Sequence, residues 1–374
     1  MSWINYDTIK YKLLFNVDNQ NQELKIAGFD FDYTIAQPFK TIHPKSADDW
    51  KYSFVNVKQV LQELHENGFL IVVFSNQLRC KGEQEKMILQ RFDNVLNDIN
   101  VPISMYVSHK NDNYRKPNKG MFELLKTHFN TKNISKESFY VGDAAGRCEN
   151  YSTKTKKDFS CADRKFAYNL DLKFYTPEEF FLHEEPNKNY FMNTMDELKT
   201  IEGLDRYSLY ESEENNNKQS NNECVILVGC PASGKSYYVN NKLSDYVRIN
   251  QDILKTKKKC IEKCEQALQE KKNIVIDNTN PDLETRKNYI DLCNKYNVSV
   301  NCLYFLVSDD LFEHLNNFKM KIHKTEKISK LVHNKFYKKL IQPSVEEGFY
   351  KVGYISFVPE FTNEEHKKIF YELS

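Results

Sequence analysis

The sequence lacks an excess of charge of either sign. Its 53 lysine and arginine residues nearly balance 52 aspartate and glutamate residues, which leaves a formal net charge of +1. A strongly basic chain would indicate a nucleic-acid partner, but a basic groove can form on a neutral protein when the acidic residues lie elsewhere. The charge balance therefore leaves the class of ligand open.

Long apolar segments and paired cysteines are also absent from the sequence. No window approaches the ~18 apolar residues of a membrane-spanning helix. The N-terminal residues MSWINYDTIKYKLLF lack the charged start and long apolar core of a signal peptide. The nine cysteines include no CxxC pair, and Cys260 and Cys264 have no second pair to complete a zinc site. We therefore expect a soluble, intracellular protein without structural disulfides.

A polar segment divides the sequence into two halves. Residues 211–222, ESEENNNKQSNN, have no apolar periodicity and are typical of a linker. On either side, apolar strand-like runs alternate with segments whose apolar residues recur every three or four positions. This is the pattern of a parallel sheet covered by helices, whose ligands bind at the carboxyl ends of the strands. We therefore predict two α/β domains, residues 1–210 and 223–374, both with mainly parallel sheets.

A phosphate-binding loop follows the first strand of the second half. The string GCPASGKS fits the pattern GxxxxGK[ST], with the strand CVILVG before it and a helical segment after it. Glycines let backbone N–H groups turn toward phosphates at a helix N-terminus. Lys235 would neutralise the β- and γ-phosphates, and Ser236 would bind Mg²⁺ or a phosphate oxygen. The predicted ATP-binding residues are Gly229, Cys230, Pro231, Ala232, Ser233, Gly234, Lys235 and Ser236.

Three further residues of the second half are candidates for phosphoryl transfer. Asp252 follows the next predicted strand and would accept a proton from an acceptor hydroxyl, although an Asp in that place is as often a helix N-cap. Asp277 ends the strand NIVID, where metal-binding carboxylates lie in P-loop proteins. Arg286 would reach the transferring phosphate, although an exposed helical arginine usually has no specific role.

Two alternating carboxylates follow a buried strand in the first half. Asp30 and Asp32 come after the strand KIAGF, and Thr34 suits a turn that lets both carboxylates converge on a phosphate. Asp30 would attack phosphorus and form an aspartyl-phosphate, and Asp32 would protonate the leaving oxygen and then activate water. Taken alone, the DxDxT pattern also fits Asp residues that cap a loop.

Later residues of the first half strengthen this interpretation. Ser75 ends the strand LIVVFS and offers a hydroxyl to a phosphate oxygen. Lys116 precedes a helix and would balance the phosphoryl charge. Asp143 ends the strand FYVGD and would complete a Mg²⁺ site with Asp30 and Asp32. Asp158 is either a further outer carboxylate or a cap.

These residues resemble the four motifs of the haloacid dehalogenase phosphatase superfamily. Longer strings, among them HPKSADDW, RKPNKGM, VGDAAGR and KDFSCADR, resemble the phosphatase domain of eukaryotic-type polynucleotide kinase 3′-phosphatases. The strings GCPASGKS, IDNTNPD and EEGF resemble the kinase domain of the same family. The likeness extends from about Trp3 to about Phe361 in phosphatase-then-kinase order, which is opposite to the phage enzymes. The resemblance implies a Rossmann-like phosphatase followed by a P-loop kinase.

The same resemblance implies an activity and its site residues. We expect a monomeric DNA-repair enzyme of the nucleus that removes 3′-phosphates and phosphorylates 5′-hydroxyl ends with ATP and Mg²⁺, so that the ends can be ligated. Asp30 is then the nucleophile, Asp32 the acid and base, Asp143 a metal ligand and Asp252 the kinase base. The sequence begins at the catalytic region without the forkhead-associated domain of animal members, so docking to a scaffold protein is not expected.

Several residues depart from the family pattern. Tyr33 replaces the usual Gly of DxDGT, and Ser75 replaces the commoner Thr while keeping the hydroxyl. Gln251, Lys259 and Lys319 stand at or near positions where the family has arginines, and a lysine cannot form the bidentate fork of an arginine on phosphate. These changes affect the expected kinase rate more than the phosphatase chemistry.

Other functions stay open at this point. One alternative is a 3′-phosphatase whose kinase half binds ATP or DNA but phosphorylates poorly. Another is a DNA-end-binding module without catalysis, although such a module has no need for carboxylates that face phosphate. A third is a small-molecule phosphatase fused to a metabolite kinase, which only the longer strings disfavour. The sequence does not distinguish RNA from DNA, or single from double strands.

Overall fold

The computed structural model describes residues 2–14, 23–151, 156–192 and 222–373, and residues 211–221 of the predicted linker lie outside these ranges. The chain forms two compact units. The first contains Met1–Met195, Met320–Glu326 and Lys367–Ser374, and the second contains Asp196–Lys319 and Lys327–His366. The predicted second domain extends to residue 374, whereas the C-terminal residues group with the first unit, where Leu373 exchanges two hydrogen bonds with the Asn169 side chain.

The first unit is built on a mainly parallel sheet that has seven strands in the described residues. The first two strands of the chain form an antiparallel edge of this sheet, and the other neighbouring strands are parallel. The fourth and fifth strands form a separate antiparallel ribbon. In chain order the strands are β1 (Ile4–Tyr6), β2 (Ile9–Lys12), β3 (Ile26–Phe29), β4 (Ala36–Gln37), β5 (Lys51–Tyr52), β6 (Leu70–Asn76), β7 (Ile103–Ser108), β8 (Phe139–Val141) and β9 (Lys173–Tyr175). The sheet order is β1-β2-β7-β6-β3-β8-β9.

Helices cover both faces of this sheet, which explains its continuous apolar strands. Alternate side chains of a strand point to opposite faces. In β6, Ile71 and Val73 therefore pack in one apolar core, while Val72 and Phe74 pack in another. The helices of the unit are α1 (Val57–Glu66), α2 (Glu83–Ile99), α3 (Gly120–His128), α4 (Ala162–Asn169) and α5 (Pro177–Phe181).

The second unit contains a parallel sheet that has five strands in the described residues. Its strands are β10 (Glu223–Val228), β11 (Val247–Ile249), β12 (Ile274–Ile276), β13 (Ser299–Leu306) and β14 (Lys351–Ser356), in the order β11-β12-β10-β13-β14. The later helices are α6 (Lys235–Lys242), α7 (Gln251–Leu254), α8 (Lys257–Gln269), α9 (Leu283–Lys295), α10 (Asp309–His323), α11 (Lys330–Lys339), a 3₁₀ helix (Val345–Glu347) and α12 (Glu364–Phe370).

The two α/β folds with mainly parallel sheets confirm the predicted fold class. Cys260 and Cys264 lie on the buried face of α8, as expected for thiols that pack on the interior side of a helix. In the part of the chain that the structure describes, no helix has both the length and the apolar character needed to span a bilayer.

Candidate active sites

The predicted phosphatase residues converge because they leave neighbouring parallel strands. β6, β3 and β8 are adjacent in the sheet, so their carboxyl ends meet at one edge. Asp30 follows β3 directly, Ser75 lies near the end of β6, and Asp143 follows β8 by two residues. The backbone N–H of Asp30 donates to the Val141 carbonyl at 2.9 Å, which fixes the start of the Asp30 loop beside β8.

Lys116 lies in the centre of this group. Its Nζ donates to Asp30 Oδ1 at 2.7 Å and to the Tyr140 hydroxyl at 2.9 Å, and it forms an ion pair with Asp163 Oδ1 at 2.7 Å. Burial by itself lowers the pKa of Lys116, but the charges of Asp163 and Asp30 outweigh it, so the pKa lies above its ordinary value. Burial raises the pKa of Asp30 to about 7 against the opposing charge of Lys116. The lysine therefore stays positive where a phosphoryl group would bind.

Three carboxylates of this group fit a divalent cation. Ligand oxygens of Asp30, Asp143 and Asp163 all lie within 4.8 Å of one another. Carboxylate oxygens are the donors that Mg²⁺ prefers. Asp32, predicted as a third ligand, is outside this group because its Oδ1 accepts from Arg91 at 2.8 Å and its Oδ2 from Gln77 at 2.5 Å.

Asp163 was not singled out from the sequence, where Asp158 was considered as the outer carboxylate. The structure pairs Asp158 with the buried Arg147 at 2.9 Å, and the backbone N–H groups of Ala145 and Arg147 also donate to it. Asp163 begins the inward face of α4 and accepts from the backbone N–H of Ala144 at 2.9 Å. The sequence signal for Asp163 was its place in the string KDFSCADR, which is one of the strings that resemble the family.

Two hydroxyls complete the phosphatase site. Thr34 is fully buried, and its Oγ1 has no hydrogen-bond partner among the described residues. Ser75 Oγ accepts from Gln77 at 3.0 Å and retains its own proton to donate. Buried hydroxyls usually have hydrogen-bond partners within the protein. The unpaired hydroxyl of Thr34, four residues after Asp30, is therefore suited to donate to a phosphate oxygen.

Tyr33 occupies the position where the family usually has Gly. Its φ of +57° lies in the left-handed region, which costs an L-residue roughly 1 kcal/mol. Its hydroxyl donates to the Ile42 carbonyl at 2.9 Å, so the side chain is tied to the following loop. The turn is therefore kept without glycine, and no reacting group is lost.

The P-loop lies between β10 and α6, as predicted. Lys235 Nζ donates to the carbonyls of Gly229 at 2.9 Å and Cys230 at 2.6 Å and to Ser233 Oγ at 3.1 Å. A Cβ on Gly229 would lie 2.9 Å from Ser233 Oγ, and Gly234 has a φ of +90°, so both positions require glycine. Burial lowers the pKa of Lys235 to about 8.

Asp277 faces the P-loop from the end of β12. Its Oδ2 accepts from Ser236 Oγ at 3.0 Å, from Arg248 Nε at 2.8 Å and from Asn250 Nδ2 at 3.2 Å. A Ser hydroxyl next to a strand-end Asp is the arrangement that holds Mg²⁺ in P-loop enzymes. Arg248 was missed in the sequence. Arg248 lies in β11, whereas Asn250 follows that strand as the N-cap of α7, and no sequence pattern marked the arginine.

Asp252 lies in the first turn of α7, and its side chain is exposed. Asn250 caps this helix, because its Oδ1 accepts from the backbone N–H groups of Asp252 at 2.9 Å and Ile253 at 3.2 Å. The charge of Asp252 acts on Lys235 and opposes the lowering of the lysine pKa by burial. Asp252 therefore lies near the P-loop, as its predicted role requires.

Arg286 does not have the environment predicted for a phosphate ligand. It is fully buried, and its Nε and Nη2 donate to Glu347 at 2.7 and 2.6 Å. Its Nη1 donates to the carbonyls of Asn280 and Pro281. The guanidinium thus ties α9 to the 3₁₀ helix and the preceding loop, so Arg286 is not an exposed helical arginine, and its assignment to phosphate binding stays a prediction.

The two sites define a class of protein, in which an aspartate-based phosphatase unit and a P-loop kinase unit occur in one chain. The family model "Polynucleotide kinase 3 phosphatase" matches residues 25–181, and the model "AAA domain" matches residues 224–336. These matches correspond to the two sites described above.

Full-length relatives have the same combination. The bifunctional polynucleotide phosphatase/kinase of Schizosaccharomyces pombe is 33% identical over 341 residues, which cover 89% of this chain and 80% of that protein. The protein named "Putative bifunctional polynucleotide phosphatase/kinase" of Acanthamoeba polyphaga mimivirus is 32% identical over 388 residues, which cover 96% of this chain and 90% of that protein. The polynucleotide 3′-phosphatase of Saccharomyces cerevisiae is 28% identical and matches 44% of this chain. The chain belongs to the family of bifunctional polynucleotide phosphatase/kinases.

Proposed function

We propose that this protein removes 3′-phosphates from DNA ends and phosphorylates 5′-hydroxyl ends with ATP, which leaves ends that a ligase can join. The observation that carries the proposal is the presence of two separate groups of side chains suited to phosphoryl transfer in a chain of this family. One site holds Asp30, Lys116 and Asp163 within hydrogen-bonding distance, and the other joins Ser236 of the P-loop to Asp277. Action in the nucleus as a monomer is part of the proposal and rests on the family alone.

In the phosphatase site, a carboxylate oxygen of Asp30 forms a bond to phosphorus while the bond from phosphorus to the 3′-oxygen breaks. Asp32 gives a proton to that oxygen as it leaves. Asp32 then takes a proton from water, whose oxygen attacks the aspartyl-phosphate and releases inorganic phosphate from Asp30. Lys116 neutralises the transferring group, and the hydroxyls of Thr34 and Ser75 bind its oxygens.

In the kinase site, Asp252 takes the proton of the 5′-hydroxyl, whose oxygen attacks the γ-phosphorus of ATP. The bond between that phosphorus and the ADP oxygen breaks, and ADP leaves. Backbone N–H groups of the P-loop and Lys235 hold the β- and γ-phosphates in place. A general base acts only when it lies within hydrogen-bonding distance of the acceptor hydroxyl. The cap that Asn250 provides for α7 holds Asp252 in place for this role.

Mg²⁺ fits both sites through oxygen ligands. When bound, it would supply positive charge to the phosphoryl oxygens. Asp30, Asp143 and Asp163 would hold the ion in the first unit, and Ser236 and Asp277 would hold it in the second. Lys116 and Lys235 add to this charge from the protein side.

A second candidate is a 3′-phosphatase with a weak kinase. The observation in its favour is that the Arg286 guanidinium is bonded to Glu347. In addition, Gln251 and Lys319 stand at or near positions where the family has arginines. Arg248, whose Nε donates to Asp277 Oδ2 at 2.8 Å, is engaged within the protein. Transfer of a labelled γ-phosphate from ATP to a 5′-hydroxyl oligonucleotide distinguishes the two candidates, because the weak-kinase candidate requires little or no transfer.

The experiment for the main proposal uses one DNA oligonucleotide with a 3′-phosphate and a 5′-hydroxyl, incubated with Mg²⁺ and ATP. Wild-type protein should change both ends. Asp30→Ala should lower 3′-phosphate release by at least about 1,000-fold and leave the kinase intact, and Lys235→Ala should do the reverse. The two-site proposal fails if either substitution removes both activities from a protein that still folds.

A further inference from the structure

Arg91 is a buried arginine on the inward face of α2. Its neighbours on that face are apolar, with Ile88, Phe92 and Val95 at helical spacing. Only 1% of Arg91 is exposed, so the position follows the apolar pattern that would suit a leucine or methionine. The sequence nevertheless places a permanent positive charge there.

The guanidinium has few partners for its degree of burial. Its Nη1 donates to Asp32 Oδ1 at 2.8 Å, and its central carbon lies 5.1 Å from the centroid of the Phe31 ring. Nε and Nη2 are buried, and neither has a hydrogen-bond partner among the described residues. The hydrogen-bond partner of Arg91 in the described structure is thus the proposed acid and base of the phosphatase.

This environment is unfavourable for the fold. Removing a charge from water is costly, and one hydrogen-bonded carboxylate together with the charge of Asp49 does not return that cost while two donors stay unpaired. An apolar side chain of similar volume is often as stable in such a place. Arg147 is different, since its buried guanidinium bonds to Asp158, Glu178 and the Asp143 carbonyl. Stability explains Arg147 and leaves Arg91 unexplained.

We infer that Arg91 is a positioning residue for Asp32 in the phosphatase reaction. An arginine can only donate hydrogen bonds, so Asp32 Oδ1 stays an acceptor while Arg91 holds it. Oδ2 is bound by the Gln77 amide, which donates through Nε2 and can also accept through Oε1 after rotation. Oδ2 is therefore the oxygen that carries the proton to the 3′-oxygen and later receives one from water. The inference rests on the function proposed for this site.

The test compares Arg91→Met, Arg91→Lys and the matched control Arg147→Met in the full chain. Wild-type protein is first assayed on an oligonucleotide 3′-phosphate, and if it releases no phosphate the proposed function itself fails. With an active wild type, Arg91→Met should melt at the same temperature or higher, whereas Arg147→Met should melt lower. Arg91→Met should lower kcat by about 100-fold with KM within about twofold. Arg91→Lys should recover at least about tenfold of that loss, because it restores a cationic donor.

A second substrate separates positioning of the acid from general damage. In an oligonucleotide whose 3′-oxygen is replaced by sulfur, the leaving thiolate needs no proton. Single-turnover release of the dephosphorylated strand should then be much less affected by Arg91→Met than release from the normal 3′-phosphate. The inference is overturned by equal losses on both substrates, by a rise in KM at unchanged kcat, or by a fall in melting temperature that accounts for the lost activity.

Discussion

At the scale of single residues, Lys235 has a charge that depends on pH within the experimental range. Burial lowers its pKa to about 8, against the opposing charges of Asp277 and Asp252. Below pH 8 the lysine is mostly charged, and above it the free protein loses that charge. Phosphates of ATP favour the charged form, so ATP binding must take up a proton at high pH. We expect ATP affinity to be constant near pH 7 and to fall by up to about tenfold for each pH unit above 8.

Titration calorimetry between pH 7 and pH 9.5 measures this effect. Phosphate groups are already ionised throughout that range, so the change reports on the protein. Repeating the titration in two buffers of different ionisation enthalpy should reveal proton uptake near pH 8.5. The control is Lys235→Arg, which stays charged and should show no such slope if it binds ATP. A flat affinity in wild-type protein would contradict the low pKa.

Single residues also show what the sequence could and could not predict. Asp30, Ser75 and Asp143 could be placed together because they leave strands that are adjacent in a parallel sheet. Long side chains are different, since tertiary contacts decide which partner they reach. Arg286 was expected at a phosphate and instead binds Glu347, 61 residues away in sequence. Arg91 has its partner 59 residues away and lies on an apolar face, where no sequence pattern marks a charged group.

At the scale of elements, the four-residue helix α7 depends on Asn250. The Asn250 side chain caps the helix and also donates to the backbone carbonyl and Oδ2 of Asp277 at 2.8 and 3.2 Å. One residue thus connects the helix that carries Asp252 to the strand end that carries Asp277. Asn250→Ala should cost about 1 kcal/mol of stability through the lost cap. Kinase activity should fall at least about tenfold because Asp252 is no longer held in place.

Both activities should be measured on the same preparation. The phosphatase should be unchanged, since Asn250 lies in the second unit. Asn250→Ser keeps a capping oxygen and should retain more kinase activity than the alanine variant, although it loses the amide donors. Equal kinase activity in the alanine variant and the wild type would show that α7 does not need its cap to position Asp252.

Elements differed in how well the sequence predicted them. The segments whose apolar residues recur every three or four positions include α8 and α9, whose apolar faces pack in the core of the second unit. The edge strand β1 was not predicted, since it has three residues and all of them are exposed, which is too short a segment for a period to be recognised. α7 is too short for any helical period and is defined by its cap instead.

At the scale of the whole molecule, the first unit includes the C-terminal residues of the chain. Leu373 is fully buried, its N–H donates to Asn169 Oδ1 at 2.8 Å, and its carbonyl accepts from Asn169 Nδ2 at 2.8 Å. Asn169 Nδ2 also donates to the carbonyl of Pro117, which follows Lys116 in the chain. Glu372 forms ion pairs with Lys119 and with Lys321, the latter at 2.5 Å. The C-terminal residues therefore support the loop that carries the phosphatase lysine.

This arrangement predicts that a substitution far beyond the P-loop in sequence weakens the phosphatase. Leu373→Ala removes a fully buried side chain and should lower the free energy of unfolding of the first unit by about 2–5 kcal/mol. The measurement is residual 3′-phosphatase activity after brief heating, with kinase activity from the same samples for comparison. Lys368→Ala, at an exposed position of α12, is the matched control and should behave as wild type. We expect the phosphatase of Leu373→Ala to be lost at a lower temperature than that of the control. If both variants lose phosphatase activity at the wild-type temperature, the C-terminal residues are not part of the stable first unit.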